Sequence, residues 1–219
     1  MIKLSTITIL FTILFSASYG QNGFQDKTKI GFIVGPSLNT LKTTEMNESY
    51  DYSYSDKGSF GFGVQMITKF SDQLSFEYGV ISNRINTERI DNCTDCTENV
   101  SRTNSFSFKY ITIPIHAQYY FQNDRLDIFG IGGISANILA NSKGSYLTAS
   151  GKEFDLIDIE DASKNVFNFE IGAGINYNLT YRGSFGLNVI YQKGINSISS
   201  APSTSFSGIS IQPGLFYQF

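Results

Sequence analysis

The sequence predicts an all-β fold, an eight-stranded antiparallel up-and-down transmembrane β-barrel. Three observations carry that expectation. Apolar residues recur with a period of two in eight segments, the pattern of strands with two chemically different faces. The connections between those segments alternate long, short, long, short, long, short, long, as in bacterial barrels with long outer loops and short periplasmic turns. One face of each segment carries aromatics and branched aliphatics almost without charge, whereas the other carries Gly, Ser, Asn and Gln. Eight strands leave a bore only just filled by side chains. Phe and Tyr from every strand would crowd it, so the apolar face is expected to meet lipid. A closed barrel also leaves no backbone group unpaired in the bilayer.

The first strand is expected over residues 29–39, with Ile30, Phe32, Val34 and Leu38 out and Lys29, Gly31, Gly35, Ser37 and Asn39 in. The second, 59–70, sets Phe60, Phe62, Val64, Met66 and Phe70 against Gly61, Gly63, Gln65 and Lys69. Ser71-Asp72-Gln73 makes a tight turn into the third, 74–85, where Leu74, Phe76, Tyr78 and Val80 oppose Ser75, Glu77, Gly79 and Asn83. The fourth, 106–121, places Ile111, Ile113, Ile115, Ala117, Tyr119 and Phe121 opposite Thr112, Pro114, His116, Gln118 and Tyr120. In the fifth, 126–139, glycines fall on both parities, so its faces are not assigned. The sixth, 167–179, alternates most cleanly, from Phe167 and Phe169 against Asn168 and Glu170. The seventh, 184–193, puts Phe185, Leu187, Val189 and Tyr191 opposite Gly186, Asn188 and Gln192. The eighth spans 208–219 and ends flush on Phe219, so closure onto the first strand is what removes two bare edges. Tyr78, Tyr119, Tyr177 and Tyr217 lie near strand ends and suit an interfacial girdle.

Residues 1–20 are expected to be a secretory signal peptide: a basic start, an apolar run from Leu4 to Phe15, and small residues ahead of a cut after Gly20. Residues 21–219 then form one barrel domain. Removing the segment removes Lys3 and no acid, which takes the net charge from −3 to −4. A mildly acidic chain without a basic patch excludes nucleic acid as a partner. The abundant Phe, Tyr and Gly favour strands over helices. The two cysteines, Cys93 and Cys96, lie three positions apart in a polar connection and are candidates for a loop disulfide in an oxidising compartment. Zinc would need two further ligands, and the single histidine, His116, lies elsewhere, so no metal or cofactor is expected.

Lys69, Glu77, His116 and Glu170 are the ionisable residues on inward faces, and buried ions must be paired. Because they sit on neighbouring strands, Lys69 and Glu77 are expected to pair across the lumen. His116, Glu77 and Glu170 are also the candidates for catalysis, with Ser75 and Thr112 near in sequence, but a hydrolase needs a nucleophile beside the base and an orienting acid. No such triad is evident, and the expectation is a side-chain-filled lumen and no enzyme. The connections over residues 41–58 and 140–165 are acidic, through Glu45, Glu48, Asp51, Asp56, Glu153, Asp155, Asp158, Glu160 and Asp161. They offer a surface for an extracellular protein or glycan, or are simply solvated.

Three segments resemble the PorT-like outer-membrane β-barrel family: residues 29–39 (KIGFIVGPSLN), 110–121 (YITIPIHAQYYF) and 191–198 (YQKGINSI). His116 and Gln118 depart from the aliphatic or basic residues usual at those places. The resemblance implies a small barrel of OmpA/OmpX-like architecture in the outer membrane of a Gram-negative bacterium. It implies contact with outer-membrane lipid, and insertion by the barrel-assembly machinery with Phe219 as the C-terminal assembly signal. It does not imply one activity. The reading is a structural or surface-interaction barrel. The alternatives are a lipid-modifying outer-membrane enzyme and a secreted soluble barrel that carries a ligand.

Overall fold

The computed structural model describes residues 28–43, 50–93, 101–122, 125–147, 153–156, 162–200 and 203–219. Among them are the strands β1 (Thr28–Thr43), β2 (Tyr50–Asp56), β3 (Ser59–Lys69), β4 (Leu74–Cys93), β5 (Ser101–Gln122) and β6 (Leu126–Leu147). They continue with β7 (Glu153–Leu156), β8 (Asn165–Asn178), β9 (Gly183–Gly194), β10 (Ser199–Ser200) and β11 (Ser203–Gln218). The wall runs β1-β3-β4-β5-β6-β8-β9-β11, and β11 pairs back onto β1 to close it. These are the eight expected strands, all antiparallel to their neighbours.

The long connections are less loop-like than the sequence suggests. β4 and β5 stay paired up to Asn92 and Ser101, and β2 lies on the β4 extension, with Tyr52 opposite Asp91. β7 adds to the top of β6, and β10 to the top of β11. Above the bilayer both faces of a hairpin are wet, so the ladder continues without a hydrophobic period to announce it. Cys93 ends β4, whereas Cys96 and any disulfide between the two lie outside the described residues, as does the expected signal peptide. Glu45, Glu48, Asp158, Glu160 and Asp161 lie outside them too.

The short turns are built as their residues require. In the β3–β4 turn Ser71 Oγ accepts from Leu74 N at 3.1 Å, and in the β8–β9 turn Thr180 Oγ1 accepts from Gly183 N at 2.8 Å. Prolines sit where ladders are interrupted, since they lack the N–H. The β4–β5 pairs skip from Tyr78↔Ile115 to Ile81↔Thr112 around Pro114, and the seam between β1 and β11 skips around Pro36 and Pro213.

A lateral path through the paired residues fixes the geometry. It goes from Lys29 to Ile67, Glu77, His116, Gly133, Glu170, Gln192 and Gly208, and returns to β1 at Asn39, ten residues beyond its start. At about 3.3 Å per residue and about 4.8 Å between strands, a shear of ten over eight strands tilts them by about 40°.

The two faces separate as expected. Phe32, Phe62, Val64, Phe76, Ile115, Phe169, Ile171, Val189, Ile211 and Leu215 face outward and are exposed, while their neighbours in sequence are buried or half-buried. On β5 the outward run from Phe121 to Ile111 spans about 25 Å along the barrel axis at that tilt, the height of a lipid-facing band. Tyr78, Tyr119, Tyr177 and Tyr217 all lie at the periplasmic end. There Arg125 stacks 5.3 Å over the Tyr177 ring, and Arg182 donates to Tyr217 Oη at 3.3 Å.

The unassigned strand, β6, turns its odd residues inward: Asp127, Phe129, Ile131, Gly133, Ser135 and Asn137. Gly130 and Gly132 face out. The lumen is also less polar than the sequence suggests. Tyr120, Phe129, Ile131 and Ile190 cluster near the periplasmic end, and Ile33, Ile67, Ile81 and Phe216 form a second group. Leu41, Ile85, Phe108, Tyr110, Val166, Ile198 and Phe206 form a third toward the outer end. Room for a large ring comes from a bare neighbour. Phe216 lies opposite Gly31, and a Cβ on Gly31 would stand 2.2 Å from that ring.

Candidate functional site

Three inward ionisable residues predicted from sequence meet in one place. Glu77, His116 and Glu170 lie on the single lateral path described above, on β4, β5 and β8. Between His116 and Glu170 on that path stands Gly133. A Cβ there would lie 2.8 Å from the His116 ring carbon Cδ2 and 2.2 Å from the Ile115 carbonyl oxygen. The glycine is thus the gap through which the imidazole reaches across a strand.

His116 Nδ1 lies 2.8 Å from Glu77 Oε1, and its Nε2 lies 2.5 Å from Glu170 Oε2. Each ring nitrogen faces a carboxylate oxygen. Either the ring donates at both, as an imidazolium, or one carboxyl carries the proton. In both cases the cluster holds one proton more than a neutral imidazole between two carboxylates. All three side chains are buried.

Neutral donors complete the cluster. Glu77 accepts from Gln65 Nε2 at 2.9 Å and Gln118 Nε2 at 2.6 Å, with Asn188 Nδ2 at 3.5 Å. Glu170 accepts from Ser135 Oγ at 2.5 Å. Tyr120 donates to Gln118 Oε1 at 2.9 Å, which fixes that amide with its nitrogen toward Glu77. Charge-assisted bonds of this kind are short and about twice as strong as neutral ones. The result is a chain Tyr120–Gln118–Glu77–His116–Glu170–Ser135 across the bore. Beside His116 and Glu170 lies a void of about 30 Å³, bordered also by Thr112 and Gln192, room for about one water.

The expected Lys69–Glu77 pair does not form. Lys69 stands opposite Ser75 and Glu77 opposite Ile67, and the oxygens of Glu77 are taken by His116 and the amides. Lys69 instead lines a cavity of about 370 Å³ at the periplasmic mouth, with Lys29, Ser75, Tyr120 and Asp127. The candidate nucleophiles are engaged otherwise: Thr112, at the edge of the small void, donates to Asn137 Oδ1 at 2.6 Å, and Ser75 lines that mouth. Asp56, expected on an acidic surface, accepts from the Asn39 and Gly58 backbone nitrogens at 2.7 and 3.0 Å, so it fastens the outer end of the β2–β3 turn.

Sequence reasoning missed Ser135, Gln65 and Asn188 as members of the cluster. Ser135 was hidden because the facing of β6 was not readable. Gln65 and Asn188 each carried an inward parity, the one signal available.

A family model described as outer membrane protein beta-barrel domain matches residues 18–200. No curated protein matches the chain. Among solved structures, OprG from Pseudomonas aeruginosa is 14% identical, with 90% of this chain and 97% of that one covered at a TM-score of 0.47. The attachment invasion locus protein Ail of Yersinia pestis, solved with the heparin analogue sucrose octasulfate, is 16% identical, with 87% and 99% covered at 0.40. The Escherichia coli outer membrane protease OmpT is 8% identical, with 91% and 99% covered at 0.45. At such identities a likeness speaks of fold and of nothing further. The matched family model covers most of a chain whose strands close on themselves and whose apolar faces point outward. This protein therefore belongs to the outer membrane protein beta-barrel domain family, and its place is the outer membrane of a Gram-negative bacterium.

Proposed function

We propose that this barrel is a closed, non-conducting plug whose role is structural or lies in contacts made by its extracellular end. The observation that carries the reading is the buried cluster itself. Glu77, His116 and Glu170 cross the bore at mid-height, and aromatic and aliphatic groups pack above and below. An eight-stranded wall has no spare width around such a crossing. The test is a planar bilayer recording on the refolded protein. No sustained single-channel steps are expected, and reproducible steps that disappear on heat denaturation would overturn the reading.

The enzyme reading is disfavoured by the same geometry. Both nitrogens of His116 are occupied by carboxylates, and Ser135 donates its hydrogen bond to Glu170 rather than to the ring. His116 has no free nitrogen to activate a hydroxyl. The resemblance to PorT-like barrels belongs to this proposal. So do an export signal over residues 1–20, insertion by the barrel-assembly machinery through Phe219, and an extracellular protein or glycan as partner.

A further inference from the structure

The outward wall just above the lipid-facing band is not featureless. On β5 the apolar run ends at Ile111, and the next outward residue is Lys109. In register with Lys109 stand Arg84 on β4 and Asn141 on β6, and all three are exposed. One outward step higher, Asn86, Ser107 and Lys143 are paired across the same three strands. Above the exposed Arg84 and Lys109, a concavity of about 310 Å³ opens between Lys57, Asn86, Ser105, Ser107, Lys143 and Ser145. That volume is at the lower end of the range for small-molecule sites.

The charge here is lopsided. Asp155 of β7 stands in register with Ser145 at the upper edge of this wall, and lower down, on β4, lies Glu88. It is taken by Lys57 Nζ at 2.7 Å, with Ser105 Oγ at 3.5 Å. No ion pair or ring contact among the described residues engages Arg84, Lys109 or Lys143. The periplasmic rim differs, since its Arg125 and Arg182 are held on tyrosines. Three cations without an ion pair among the described residues, two amides and several hydroxyls thus stand where the hydrocarbon ends. Strand pairing in β4, β5 and β6 fixes their spacing.

We propose that this face binds the phosphorylated sugar headgroup of an outer-leaflet glycolipid. The phosphate would sit between Arg84, Lys109 and Lys143, the sugar hydroxyls against Asn86, Ser105 and Ser107, and the acyl chains along the apolar band below. Charge complementarity and continuity with the lipid-facing surface select this occupant over a soluble glycan. The cations sit at the edge of the band rather than on the loop tips. The inference deepens the surface-interaction reading and rests on the long connections being extracellular. Protease cleavage of those connections in intact cells tests that orientation separately.

The experiment is native mass spectrometry of the full-length barrel released from detergent micelles doped with a bisphosphorylated lipid A. The same lipid A after phosphatase treatment is the comparison. Wild-type protein is expected to retain the phosphorylated lipid and lose most of it when both phosphates are removed or when salt is raised. The triple variant Arg84→Gln, Lys109→Gln, Lys143→Gln should bind about a hundredfold more weakly, since each surface cation contributes roughly fivefold toward an anionic headgroup. Lys193→Gln, an exposed cation on β9, should change nothing. Inorganic phosphate at millimolar concentration should not displace the lipid. Equal retention of the dephosphorylated lipid by wild-type protein would overturn the proposal, whatever the variants do. So would displacement by inorganic phosphate alone, or unchanged binding by a folded triple variant.

Discussion

Replacing His116 by leucine asks what the buried cluster contributes to the fold. Leucine fills a similar space but removes both bonds of the ring. It leaves Glu77, 0% exposed, and Glu170, 5% exposed, facing an apolar group. Each charge-assisted bond contributes about 1.5–3 kcal/mol, and removing one partner from a buried ion set costs about 3–5 kcal/mol. Leucine recovers part of this through its own burial, so we expect a net loss of about 3 kcal/mol, roughly a hundredfold in the folding equilibrium. The assay is a urea titration in short-chain phosphatidylcholine vesicles, read by the gel mobility difference between unboiled and boiled samples. Tyr110→Phe is the internal comparison. It deletes a buried hydroxyl that makes no hydrogen bond and should lie within about 0.5 kcal/mol of wild type. A second-site change sharpens the reasoning. In wild-type protein Glu77→Gln should destabilise, because an amide has one acceptor oxygen where the ring and Gln118 need two, and no charge to assist the bonds. In the His116→Leu background it should stabilise, because it neutralises a stranded carboxylate. A loss below about 1 kcal/mol for His116→Leu would refute the argument, as would the same sign for Glu77→Gln in both backgrounds.

Gly133→Ala places a methyl 2.2 Å from the Ile115 carbonyl oxygen and 2.8 Å from His116 Cδ2. It should cost about 1–3 kcal/mol in the same titration, and only the part owed to the ring should disappear in the His116→Leu background, since the Ile115 carbonyl stays in place. Phe219→Asp should reduce the folded fraction in the outer membrane far more than Gln218→Ala. It should have little effect on refolding in vesicles, because a charge near the interface costs only about 0–1 kcal/mol. Equal recovery of the two variants from cells would remove Phe219 as an assembly signal.

The strands and most of their faces were legible because one physical fact, lipid on one side and a narrow bore on the other, imposes a period of two. Where the wall leaves the bilayer that contrast ends. The upper ends of β4 and β5 therefore read as loop, although they are paired strand. β6 resisted for a different reason. Gly130 and Gly132 occupy outward places that elsewhere hold large apolar groups, while Phe129 and Ile131 point inward. Parity also put Lys69 and Glu77 on the correct side without showing that they stand on different rows. Glu77 lies opposite Ile67 and His116, not Lys69. Which inward residues meet depends on the stagger of the whole wall, and no single strand encodes it. His116 could be found as an inward polar residue, but not as the bridge between strands 54 positions apart.

The placement of the carboxylates and the imidazole on one lateral row bears on how the wall finds its alignment. If any strand slid by two residues, every side chain would keep its face, toward lipid or toward the bore. The bilayer could not distinguish that arrangement from the native one. The buried ions could. A two-residue slide of β5 against β4 would bring Ser75 or Gly79, instead of Glu77, opposite His116. Glu77 would then be left without its cation in a place that tolerates no unpaired charge. The cluster thus works as a proofreading device. It is indifferent to whether strands insert, and selective for the one stagger at which they may stay.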